Sequence, residues 1–210
     1  MKNLLVACEF SGVVREVFNA LDWNAWSCDF EPEDIPGQHY QGDVKEIIEN
    51  PSIVGVDSWD MMIAHPPCTY LSSSGLHWNK KNPERQLQTE EALEFVEYLW
   101  KAPIEKICIE NPVGCISTRL TFMPKPQYVQ PYEFGDDASK KTGLWLKNLP
   151  PLEKNPEDYV QPRIVEYKGK QAHRWANQSD AGQSRLGGGS GKKRSVTYEG
   201  IAVAMGMQWG

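Results

Sequence analysis

Cys68 and Glu110 are the two residues whose types and settings point most directly to bond-making chemistry. Cys68 follows a short apolar run, Asp60 to Ala64, and the stop His65-Pro66-Pro67. Proline supplies no N–H to a β-ladder and drives the residue before it toward extended geometry. A thiol just past the carboxyl end of a central strand stands where open α/β sheets bind their ligands, and the polar Ser72-Ser73-Ser74-Gly75 beyond it can fold over a substrate. That is a nucleophile's position. The competing reading is a small buried hydrophobe, the common fate of an intracellular cysteine. Glu110-Asn111 closes a second apolar run, Lys106-Ile107-Cys108-Ile109. If both runs are parallel strands alternating with helices, the thiol and the carboxylate share one rim. The acid then holds a proton or a hydrogen bond on one side of a heterocycle while the thiolate attacks the other.

The elements that must position this pair begin at the N-terminus. Leu4-Leu5-Val6-Ala7-Cys8 reads as a buried strand and Glu9-Phe10-Ser11-Gly12 as a tight turn. Val13, Val14, Val17, Phe18 and Leu21 fall at helical spacing, so the unit is strand, glycine turn, helix. Such a turn is expected to present helix N–H groups to a ligand close to the backbone. Asn24 to Asp29 is a second strand that ends on an acid. Asp29, with Glu31 behind it, stands where doubly wound folds hydrogen-bond a ribose hydroxyl pair, or is a solvated strand-end acid. Residues 31–41 read as an irregular loop by their prolines and glycine. In Gly42-Asp43-Val44, Asp43 either caps the helix Lys45 to Glu49 or accepts a hydrogen bond from an adenine amino group. Leu76 to Arg85 mixes bases with an aromatic and reads as a mobile segment in which Trp78, Lys80 and Lys81 contact a substrate backbone. A helix then starts at Thr89, with apolar positions Leu93, Phe95, Val96, Leu99 and Trp100. Gly143 to Leu146 is a further strand, and Arg194 to Met205 reads as a capped closing helix.

Composition excludes several classes. A chain of 210 residues, 40% hydrophobic and 24% charged, supports one ordinary globular core. No apolar stretch approaches the roughly 20 residues of a membrane span, and the first residues run straight into a strand pattern, so a cytoplasmic protein without a membrane partner is expected. Five cysteines (Cys8, Cys28, Cys68, Cys108, Cys115) are odd in number and free of CxxC spacing, which suggests neither a disulfide framework nor a metal site. The net charge of −6 argues against a surface coated for non-specific nucleic-acid binding. Charge is nonetheless uneven. Lys168, Lys170, Arg174, Arg185, Lys192, Lys193 and Arg194 face a single acid, Asp180, in a segment that either grips phosphates or is a solvated, glycine-containing loop.

With these residues in order, the chain resembles the DNA cytosine-5 methyltransferases, in particular their compact, phage-type members. Phe10-Ser11-Gly12 resembles their first S-adenosylmethionine motif, with Glu9 beside it. Asp29 falls where their ribose-binding acid falls, and Gly42-Asp43-Val44 resembles their adenine-contacting segment. Pro66-Pro67-Cys68 followed by Ser72 resembles their nucleophile loop, and Glu110-Asn111 the pair that binds the target cytosine. The match covers residues 1–115. It departs at Val14, where members carry a second glycine, and at Pro112, where they carry a valine. Their Gln-x-Arg-x-Arg segment has no clean match; Lys140-Lys141-Thr142 is the best-placed equivalent, and Gln161-Pro162-Arg163 a weaker one.

The resemblance implies a doubly wound, Rossmann-like α/β methyltransferase sheet with helices on both faces. It divides the chain into a catalytic core over 1–150, a basic, glycine-containing loop region or small recognition element over 151–195, and a closing helix over 196–210. Cys68, Glu110 and Asn111 would be catalytic. Glu9, Phe10, Ser11, Gly12, Asp29, Asp43, Pro66 and Pro67 would bind S-adenosylmethionine; Ser72, Trp78, Lys80, Lys81, Lys140, Lys141 and Arg194 would bind substrate. The implied partner is duplex or single-stranded DNA, with no metal, a monomeric enzyme, and for a phage-encoded protein the bacterial host cytoplasm. Addition of the Cys68 thiolate to carbon 6 of cytosine would make carbon 5 nucleophilic, and a duplex would first have to release the base from its stack. Three alternatives stay open: the same chemistry on a free pyrimidine nucleotide such as dCMP; amino-methylation of DNA adenine or cytosine, against which His65-Pro66-Pro67-Cys68 lacks the required acid or amide and aromatic; and an inactive nucleic-acid-binding decoy.

Overall fold

A computed structural model describes residues 1–185 and 195–210, and within them all but the side chain of Lys80. Its centre is β1 (Asn3–Ala7) and β4 (Met61–Ala64), whose apolar residues are fully buried. Because successive side chains of a strand point to opposite faces, Leu4 and Val6 enter one core layer while Leu5 and Ala7 enter the other. A strand covered on both sides must be apolar throughout, and these are.

The sheet has seven strands in the order β3-β2-β1-β4-β5-β7-β6, adding β2 (Asn24–Asp29), β3 (His39–Gln41), β5 (Lys106–Pro112), β6 (Gln127–Val129) and β7 (Thr142–Lys147). β3, β2, β1, β4 and β5 pair in parallel, and β7 runs antiparallel between β5 and β6. Helices α1 (Val13–Asn19) and α6 (Glu199–Trp209) cover one face through Val14, Phe18, Met205 and Trp209. Helices α2 (Val44–Glu49) and α4 (Pro83–Lys101) cover the other through Ile47, Leu93, Val96 and Leu99. A Cβ at Gly206 would lie 2.6 Å from Val17 Cγ1, so a residue without a side chain lets α6 close onto α1. The whole is a doubly wound, Rossmann-like α/β sheet with helices on both faces, as expected.

Three stretches differ from the sequence reading. The helix expected from Thr89 begins six residues earlier, at Pro83. Asn82 caps it by accepting from the Arg85 N–H at 3.1 Å, and Pro83 fills the first position, where a missing N–H costs nothing. The segment read as mobile, Leu76 to Arg85, therefore holds the end of a short helix α3 (Ser73–Leu76), a 3-10 turn over Asn79–Lys81 and the start of α4. The loop 31–41 ends in β3, an edge strand. Within 151–195, read as a loop region, β8 (Arg163–Tyr167) and β9 (Lys170–Arg174) form a separate antiparallel hairpin. Its turn is Lys168-Gly169, both at positive φ (52° and 71°), the geometry that matches the twist of a two-residue hairpin.

Candidate active site

Register alone assembles the rim. Ala7 lies beside both Cys28 and Ala64, and Ala64 lies beside Ile109, so the residues next along the chain, Cys8, Asp29, His65 and Glu110, emerge on one edge of the sheet. All lie at carboxyl ends of parallel strands, the ligand-binding edge of a doubly wound fold.

The loop bearing Cys68 is fastened to the strand bearing Glu110. Buried Asn111 donates from Nδ2 to the Pro66 carbonyl at 2.7 Å. Beyond it, Ser73 N–H donates to Val113 O at 2.9 Å and Cys115 N–H to Leu71 O at 2.9 Å. A Cβ at Gly114 would lie 1.9 Å from the Leu71 carbonyl oxygen, so only glycine allows this approach. Within the loop, Leu71 and Ser72 N–H groups donate to Cys68 O, turning the chain directly after the half-buried thiol. Short helix α5 (Ile116–Arg119) follows the clip. Cys68 and Glu110-Asn111 are thus held on two elements tied by backbone hydrogen bonds and one side-chain bond.

Glu110 is enclosed by groups that favour its charge. Burial pushes its carboxyl up, but the Lys140 charge, the His65 imidazole and a hydrogen bond from the Thr142 hydroxyl together hold it below its ordinary value. His65 Nδ1 lies 3.2 Å from Glu110 Oε2. Of the two lysines read as substrate contacts, Lys140 acts electrostatically on Glu110. Lys141 turns elsewhere, its ammonium 4.5 Å from the Tyr128 ring centroid.

Beside the thiol loop lies a cleft of about 350 Å³, lined by Cys8, Cys28, Asp29, Phe30, Gly42, Asp43, Val44, Lys45, Pro67 and Phe95. Pro67 joins it to Cys68. Asp29 Oδ1 accepts from Glu31 N–H at 2.9 Å, and Asp43 Oδ1 accepts from Lys45 N–H at 3.0 Å, so Asp43 caps α2 while also facing the cleft. Phe30 and Phe95 add aromatic walls. Burial, reinforced by Asp29, pushes both floor thiols up, Cys28 to about 12 and Cys8 still higher; these cysteines are apolar lining, and not nucleophiles.

The glycine turn corrects an expectation. Glu9 is buried, and its oxygens accept from Val14 N–H at 2.8 Å, Arg15 N–H at 3.3 Å and Ser11 Oγ at 3.2 Å. The Val14 and Arg15 N–H groups of α1 are therefore engaged by the chain's own carboxylate, and the Val13 N–H by the Ser11 hydroxyl at 3.4 Å, rather than presented to a ligand. Glu9, Phe10, Ser11 and Gly12 do not line the cleft, and neither does Pro66, which is buried under it. Gly12, at φ 76°, sets the entry into α1. Buried Val14 packs in the core where the family pattern has glycine. Ser72 precedes α3, its hydroxyl 3.1 Å from that of Ser74. Trp78 and Lys81 are exposed on the turn before α4. The side chain of Lys80, and Arg194 altogether, lie outside the described residues.

The basic segment is also put to another use. Arg163 Nη2 and Arg185 Nε donate to Gln178 O at 2.7 and 3.0 Å, and Arg174 Nε donates to Asp180 O at 3.0 Å. Arg163 also binds the Asp180 carboxylate at 2.6 Å, which holds that acid below the usual range. Arg174 and Arg185, counted as phosphate-gripping candidates, fasten a turn to the hairpin. Sequence reasoning missed His65, Thr142, Phe30 and the cleft-facing role of Phe95; the only available signal for His65 was its place directly before Pro66, at the strand end.

No protein-family model matches the chain, and no curated protein matches it. Among solved structures, the chain is similar to one from E. coli described as a DNA modification methyltransferase encoded within a prophage, at 14% identity and a TM-score of 0.46 over 70% of this chain. The chain spans less than half, 46%, of that protein's length. It is also similar to the delta-N METTL16 MTase domain, at 12% identity and a TM-score of 0.37, covering 70% of this chain and 72% of that one. At these values neither likeness transfers a residue's role. Among the described residues, no cluster of His, Cys, Asp or Glu could hold a metal ion, and no helix is long and apolar enough to cross a membrane.

Proposed function

We propose that the protein is a methyltransferase that moves a methyl group from S-adenosylmethionine to carbon 5 of cytosine in DNA, through a covalent adduct with Cys68. The observation that carries this reading is the fastening of the Cys68 loop to the Glu110-Asn111 strand, with Pro67 forming the wall shared with an adjoining cleft. A pure binding module has no use for a thiol-bearing loop fastened to a carboxylate-bearing strand beside a small-molecule cleft.

The cleft fits the cofactor. Its volume of about 350 Å³ lies within the roughly 300–1,000 Å³ of small-molecule sites. Asp29 offers a carboxylate to ribose hydroxyls, Asp43 an acceptor to the adenine amino group, and Phe30, Val44 and Phe95 apolar surface to the ring. When bound there, S-adenosylmethionine supplies an electrophilic methyl group. Carbon 5 of cytosine is too weak a nucleophile to take it unaided. The Cys68 thiolate forms a bond to carbon 6, and the electron pair of the ring double bond moves toward carbon 5. Glu110 faces the ring nitrogen that accumulates charge, and Asn111 holds Pro66 so that the thiol stays in line. After transfer, a water molecule takes the carbon 5 proton, and the electron pair released re-forms the ring double bond and expels the Cys68 thiolate. A base in duplex DNA must first leave its stack, at a cost of a few kcal/mol, to reach a rim this enclosed.

A second reading, the same reaction on a free pyrimidine nucleotide, is favoured by the internal hydrogen bonds of Arg163, Arg174 and Arg185, which already engage part of each guanidinium within the chain. One experiment separates the two: transfer of tritium from methyl-labelled S-adenosylmethionine to duplex DNA, single-stranded DNA and dCMP, with Cys68→Ser as control. We expect 5-methylcytosine in DNA, absent with Cys68→Ser. Label in dCMP alone moves the substrate to nucleotides, and label that survives Cys68→Ser overturns the thiol mechanism.

A further inference from the structure

His65 is a buried titratable side chain on the rim that the reaction above does not use. We infer that His65 is a positioning and proton-sharing residue for Glu110, supplying through it the proton that the substrate ring nitrogen takes up. This rests on the methyltransfer reading and adds a second residue to its acid.

The argument begins with register. Ala64 pairs with Ile109, so the residues that follow each, His65 and Glu110, are neighbours as the two strands end. Backbone hydrogen bonding holds the histidine there: His65 N–H donates to Ala7 O at 2.9 Å, extending the β1–β4 ladder by one bond. The imidazole is only 6% exposed. A carboxylate can only accept, so the 3.2 Å contact with Glu110 Oε2 puts a proton on Nδ1. Nε2 is buried with no hydrogen-bond partner among the described residues. Glu9, on the turn after β1, and Glu110, on β5, both interact electrostatically with the imidazole. Lys140, ahead of β7, acts on Glu110 in turn.

The balance follows from these partners. A carboxyl held below its ordinary value is a poor proton store by itself. With the imidazole protonated on both nitrogens, Nδ1–H passes its proton to the Glu110 carboxylate, and Glu110 passes that same proton on to the ring nitrogen. The imidazole keeps Nε2–H, Glu110 ends as it began, and the ring gains one proton as the Cys68 bond forms. When the thiolate leaves, the ring nitrogen returns the proton to Glu110 and Nδ1 recovers it.

The test compares the wild type with His65→Gln, which keeps a donor but cannot titrate, and His65→Asn as a shorter donor. Label transfer to DNA and dCMP is followed from pH 5.5 to 9, alongside calorimetric S-adenosylmethionine binding and thermal melting. Support is a kcat lower by about 10²-fold in both variants, the loss of the near-neutral limb of the pH–rate profile, and cofactor affinity within about twofold of wild type. A His65→Gln protein that keeps the wild-type kcat and profile overturns the inference alone. Equal loss of kcat at every pH, together with a melting point lowered in step, assigns His65 to structure and also overturns it. A wild type that transfers label to neither substrate overturns the methyltransfer reading, and this inference with it.

Discussion

The rim between β4 and β5 and the hairpin turn at 163–185 both bring charged side chains into close contact, and they use them in opposite ways. At the rim, Glu110 is set among His65, Lys140 and Thr142, groups that can gain, lose or share a proton. At the hairpin, Arg163, Arg174 and Arg185 meet carbonyl oxygens and Asp180, and a guanidinium never gives up its proton in a protein. The rim can do chemistry with its charges; the hairpin can only be held by them. Counting Lys and Arg in a sequence therefore overstates what is available to grip phosphate.

Glu110→Gln should break the rim most severely among changes that leave the thiol in place. An amide keeps the size of the group but neither the charge nor the proton, so kcat should fall about 10²- to 10³-fold while cofactor binding stays close to wild type. Steady-state kinetics with calorimetry would check this. Next comes the distinction among thiols. Burial raises Cys8, Cys28, Cys108 and Cys115, so iodoacetamide at pH 8 should modify Cys68 ahead of all four, read by peptide mass spectrometry. Modification of Cys28 at an equal rate would remove the contrast between lining and nucleophile.

The smallest effects come from paired glycine substitutions, one in each region. Gly114→Ala drives a methyl group into the Leu71 carbonyl and should cost about 1–3 kcal/mol by denaturant unfolding, with transfer reduced as the loop lifts from β5. Gly169→Ala meets nothing within 4 Å and bears only the strain of its positive φ, about 1–2 kcal/mol, with transfer unchanged.

Much of this organisation was legible in the sequence, for identifiable reasons. Leu4–Ala7, Met61–Ala64 and Ile107–Ile109 are buried on both faces, so their continuous apolar runs and the proline or glycine that ends each mark strand and rim together. The start of α4 was hidden because its first turns are polar and exposed, leaving Asn82-Pro83 as the only sign. β8 and β9 alternate half-buried and exposed positions without a strongly apolar face, and Lys168-Gly169 is a weak turn signature. The use of Glu9 to cap α1 follows from Glu9 lying five residues ahead of Val14 across a turn that only the folded backbone closes. His65 could not be read as a partner of Glu110, because their contact spans 45 residues and depends on the register of two strands.

The central claim is a bond between Cys68 and carbon 6 of cytosine. Its most direct test is mass spectrometry of the protein after incubation with S-adenosylmethionine and duplex DNA carrying 5-fluorocytosine, whose fluorine cannot leave as the proton does. The account predicts a stable adduct on the Cys68 peptide, absent with Cys68→Ser. Methylation of ordinary DNA with no adduct on that peptide would contradict it.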